Sequence, residues 1–122
     1  MREDETRVLV ALEDEYRVYR DMIAAATAVL RPQAEVESTG LDELGEQVRR
    51  FDPQVVVCSY PNTVEPGGRL AWVELSLDPT RPTKICVGGC YSELASPALE
   101  VLFEIIEETE KLVQTKRDRA GC

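Results

Sequence analysis

The sequence has no histidine. It therefore lacks the side chain that most readily serves as general base or metal ligand near neutral pH. A zinc site would have to be built from thiolates and carboxylates alone. The cysteines, Cys58, Cys86, Cys90 and Cys122, are poorly grouped for that, since Cys86 and Cys90 form CxxxC rather than the CxxC of redox and zinc sites. We expect no metal and no cofactor. Cations are scarce as well: 14 Lys and Arg face 23 Asp and Glu, for a formal charge of −9. Nucleic acid and anionic membrane both need cationic surface, so neither is expected as a partner. No apolar run approaches the roughly 18–20 residues that span a bilayer. Residues 1–6 are acidic, unlike the basic start of a secretory leader. The expected location is the cytoplasm, with reduced thiols. Phosphate-cradling glycine loops are missing too: neither Gly67-Gly68 nor Gly88-Gly89 fits GxGxxG or GxxxxGK[ST].

What is present suits one α/β domain over residues 1–122, with 1–6 and 115–122 frayed. The chain is 43% hydrophobic over 122 residues, enough for a real core. Residues 8–12 (VLVAL) and 55–58 (VVVC) are short continuous apolar runs, which predict strands buried on both faces. Tyr16, Tyr19, Ile23, Ala26 and Leu30 recur at helical spacing and predict a helix over 16–30, with Asp14 as N-cap. Residues 34–38 form a weak edge strand. Leu41, Leu44, Val48 and Phe51 give a second helix an apolar stripe over 41–50. Residues 60–69 (YPNTVEPGGR) are turn chemistry. Period-two alternation over 72–77 predicts a strand, and 84–87 (KICV) another, followed by a loop. Ser96-Pro97 caps a last helix over 97–114.

Right-handed crossovers make the first three strands parallel in the order 2-1-3. The expected fold is α/β, flavodoxin- or receiver-like. Its sheet is mainly parallel with four to five strands and about three helices. A loop and a strand replace the helix after the third strand. Such sheets bind ligands at the carboxyl ends of their strands. The candidate crevice is therefore Glu13, Asp14, Ser59, Asn62, Thr63, Gly88 and Gly89.

These positions resemble those of a response-regulator receiver. Receivers end their first strand in an acidic pair that holds magnesium, as VLVALED ends in Glu13 and Asp14. They end the third strand in a phosphoryl-accepting aspartate, often after a proline and aspartate lead-in. Here FDPQVVVCS keeps Asp52-Pro53 but places Ser59 at the acceptor position, Gly88 where a receiver has Ser or Thr, and no lysine after a fifth strand. The resemblance thus implies a degenerate receiver that is not phosphorylated, because a hydroxyl without a base is a weak nucleophile. The acid pair has a plainer use at the positive end of a helix. The run CSYPNTVEPGGRLAWVEL also resembles the signature of a small bacterial family, a resemblance that implies no activity.

A parallel strand such as VVVC needs cover on both faces. With a loop in place of a helix, one face is short of cover. The loop near Pro61 and Pro66, or a second copy of the chain, could complete it. The expected interface residues are Trp72, Val73, Leu75 and Leu77, and the expected state is a homodimer. Two functions remain open. One is a non-catalytic module working through contact with itself or a regulatory protein. The other is a small-molecule binder or minor enzyme using the strand-end crevice around Ser59, Asn62 and Glu13.

Overall fold

The uninterrupted apolar run at residues 8–12 is fully buried, and it forms the heart of a six-stranded sheet. The computed structural model describes residues 6–59, 64, 67–76, 80–95, 99–115 and 121–122. The elements are β1 (Arg7–Leu12), α1 (Arg17–Leu30), β2 (Glu35–Gly40), α2 (Leu44–Phe51), β3 (Val55–Ser59), β4 (Ala71–Leu75), β5 (Thr83–Val87), β6 (Cys90–Leu94) and α3 (Leu99–Thr115). Strand order is β2-β1-β3-β4-β5-β6. The first four strands pair in parallel; β4–β5 and β5–β6 pair antiparallel.

The α/β class, the three helices and the 2-1-3 order of the first strands agree with the sequence reading. The strand count does not, and the antiparallel half departs from a mainly parallel receiver-like sheet. The loop expected after residue 87 is instead β6, exposed at all five residues. With no inward face, its sequence carries no alternation to read. Leu30, expected inward, is 55% exposed, while Ile23 and Thr27 hold the buried face of α1. Asp14 does not cap α1. It opens a single 3-10 turn, Asp14–Tyr16, and α1 begins after it without a side-chain cap.

Alternation within each strand divides the core between two faces. On one, Val8, Val10, Val55, Val57, Val73 and Ile85 pack with Ile23 of α1 and with Leu102, Ile105 and Ile106 of α3. On the other, Leu9, Ala11, Val56, Cys58 and Trp72 pack with Leu44 and Val48 of α2. Val64, from the connection between β3 and β4, joins this second face. So does Cys122, which is disulfide-bonded to Cys86 on β5. The expected gap in cover is thus narrowed by the chain itself, through Val64 and Cys122; Pro61 and Pro66 lie outside the described residues. The expectation of free thiols is corrected at Cys86 and Cys122; residues 116–120 of the segment expected to fray lie outside the described residues. Residue 6 is not frayed: Thr6 is buried, and its carbonyl accepts from the Glu35 N–H at 2.9 Å.

At the amino ends of the strands, Asp52 closes α2 in the left-handed conformation (φ 52°). Its carboxylate pairs with Arg7 and Arg69. Arg69 also donates to the Val48 and Pro53 carbonyls, so this cation of the loop is used in stitching the fold.

Candidate functional site

The parallel strands β1 and β3 end side by side, so Glu13 and Ser59 meet there. Ser59 is 2% exposed, and its Oγ accepts a hydrogen bond from the Glu13 N–H at 3.1 Å. Its hydroxyl therefore ties the two strand ends together. Desolvation and the adjacent Glu15 carboxylate push the Glu13 carboxyl above its usual range. The Glu13 carbonyl accepts from the Tyr16 N–H at 2.9 Å and so opens the 3-10 turn.

Asp14 is exposed and lies 3.8 Å from Arg20 Nη1. The same guanidinium nitrogen donates to the Thr39 carbonyl at 3.3 Å, linking α1 to the end of β2. A Cβ at Gly40 would lie 2.9 Å from Asp42 Oδ1 and 3.6 Å from Asp14 Oδ1. Asp14 and Asp42 thus approach the same glycine. Among the described residues no set of three or more His, Cys, Asp or Glu is grouped to hold a metal.

Not every expected crevice residue arrives here. Asn62 and Thr63 lie outside the described residues. Gly88 and Gly89 fall at the opposite end of the sheet, because β5 runs antiparallel to β4 and its last residue, Val87, pairs with Ala71 at the start of β4. With φ of 57° and 84°, the two glycines form the two-residue turn of the β5–β6 hairpin. The Gly88 N–H donates to the Leu70 carbonyl at 2.7 Å.

The expected interface residues are likewise placed elsewhere. Trp72, Val73 and Leu75 are buried within the chain's own core; Leu77 lies outside the described residues. The buried thiol of Cys58 donates to the Val73 carbonyl at 3.5 Å, and burial pushes its pKa far up. Cys90, on β6, is the exposed free thiol among the described residues. Two features escaped the sequence reading. The Cys86–Cys122 bond has no spacing signal to announce it. The uncharged stretch 22–30, on α1, is legible in the sequence as a run without Asp, Glu, Lys or Arg.

No helix among the described residues is long and apolar enough to cross a membrane. The architecture is that of a mixed α/β sheet covered on both faces, with a hydroxyl at the end of its third strand. Comparison with protein-family models, with curated proteins and with solved structures found no match.

Proposed function

We propose that the chain is a non-catalytic, receiver-like module that is not phosphorylated and acts through contact with a second copy or a regulatory protein. The observation that carries this reading is Ser59: at the acceptor position stands a hydroxyl 2% exposed and engaged as a strut to Glu13. An oxygen so placed is not presented to a phosphoryl donor, and the two glycines that would have shaped a crevice beside it lie at the other end of the sheet.

The test is thermal unfolding with acetyl phosphate and magnesium, and with a panel of nucleotides, followed by intact mass. A ligand that binds the native state alone must raise the midpoint. We expect no shift and no added phosphoryl mass. A midpoint raised by one nucleotide would favour a small-molecule binder using the β1–β3 end; a phosphorylated chain would defeat the reading outright.

A further inference from the structure

The three helices differ in what they show to water. On α2 the exposed residues are Glu46, Arg49 and Arg50. On α3, among the described side chains, they are Glu100, Glu104, Glu107, Glu108 and Lys111, every one charged. On α1 they include Val18, Met22, Ala25, Ala28, Val29 and Leu30. Val18 is 78% exposed, Val29 77%, Leu30 55% and Met22 42%. Residues 22–30 carry no charge in a chain that is 30% charged. A helix apolar on its outer face as well as its inner one is a helix made to be covered.

We propose that this outer face of α1 is a homodimer interface in which two copies of α1 cross antiparallel about a two-fold axis. The proposal rests on the reading of the chain as a contact module and names its partner and surface. Val18, Met22, Ala25 and Val29 are spaced four, three and four apart, which aligns them in one seam. The seam is complementary to its own reverse. An axis passing midway between residues 23 and 24 sets Val18 against Val29 of the second copy, and Met22 against Ala25. Each long side chain thereby meets a short one where the helices are closest. Ala25 and Ala28 add no bulk beyond Cβ, which allows a close approach of about 8 Å between axes.

Charge selects the antiparallel direction. The exposed charges on this face are Arg17 and Asp21. A parallel crossing would set each against its own copy, whereas the antiparallel one carries the two copies of each toward opposite ends. There Arg17 lies level with residues 29–30 of the second copy, where the helix carries no charge. The 14 residues of α1 span about 21 Å, so the contact belongs at the small end of specific interfaces and the dimer is expected to be reversible.

Sedimentation across micromolar to sub-millimolar concentration tests this. The wild-type mass should rise from 13.7 kDa toward twice that value. Val29→Glu and Met22→Lys, both at exposed positions, should weaken association about tenfold or more with an unchanged circular dichroism spectrum. Tyr91→Lys on exposed β6 should leave association intact. In a Cys90→Ser background, Val18→Cys combined with Val29→Cys should cross-link into a covalent dimer with oxidised glutathione, while either single variant should not. A wild type that stays monomeric throughout would overturn the proposal. So would a dimer broken by Tyr91→Lys but not by Val29→Glu, cross-linking of the Val18→Cys single variant, or a monomer that binds neutral phosphatidylcholine vesicles through α1. A nucleotide-induced thermal shift would instead bear on the contact-module reading and would leave the measured dimer standing.

Discussion

A single hydroxyl settles much of how the strand ends are built. Ser59 supplies the acceptor for the Glu13 N–H where β1 gives way to the 3-10 turn. Removing that acceptor leaves a part-buried donor without its partner, a loss of about 1–2 kcal/mol. Ser59→Ala should therefore lower the urea midpoint by that equivalent with an unchanged slope, the signature of lost stability rather than an altered denatured state. Ser59→Asp should cost more. It would supply the acceptor residue that the proposed receiver-like reading lacks, but it places a carboxylate at a position 2% exposed, beside a Glu13 whose own ionisation is already disfavoured. A Ser59→Asp chain as stable as the wild type would show that the strand end has room for the group, against the strut reading.

Between elements, the contact most open to titration joins the end of α1 to α3. Arg31 bridges Glu107 at 2.7 Å and Glu110 at 3.4 Å. Desolvation raises the Glu110 pKa above the usual 4.5; Arg31 opposes the rise and Glu107 adds to it. A carboxyl whose folded pKa is raised binds more protons in the folded chain than in the unfolded one. Its contribution is fully present below the unfolded pKa and is lost as pH rises through the folded value. Glu110→Gln should match the wild type in acid and gain on it above that window, with a flatter stability profile in melts run from pH 4 to 7. The opposite slope would mean that Arg31 dominates the site. Element by element, the sequence was readable where burial imposed a pattern. Residues 8–12 and 55–58 are sealed on both faces and show unbroken apolar runs. The stripe of Leu44 and Val48 reports the single buried face of α2. β6 touches no core and so left no pattern. Gly88 and Gly89 lie at the end of the sheet opposite to the one expected because local composition does not encode strand direction: a hairpin and a crossover begin from the same turn residues.

For the molecule as a whole, the least legible feature is the one that closes it. Cys86 and Cys122 are 36 residues apart, and their bond brings Cys122 to the α2 face of the sheet. There the Cys122 N–H donates to the Arg69 carbonyl at 2.7 Å, and the residue packs in the cluster that contains Trp72. Linking residues this far apart restrains the unfolded chain by about 3–4 kcal/mol in the chain-entropy picture. Disulfides persist in oxidising compartments, and a cytoplasmic setting would hold this one open. Reduction with a small dithiol should therefore raise the thiols titrated in denaturant from Cys58 and Cys90 to all four. It should also lower the melting midpoint by on the order of 10 °C. Trp72, 5% exposed in the closed form, should shift its emission to the red as the terminal residue leaves. Cys122→Ser should reproduce both changes without reductant, and Cys90→Ser neither. If Cys122→Ser melts where the oxidised wild type does, Cys122 is not what completes the cover, and Leu44, Val48 and Val64 shield Trp72 without it.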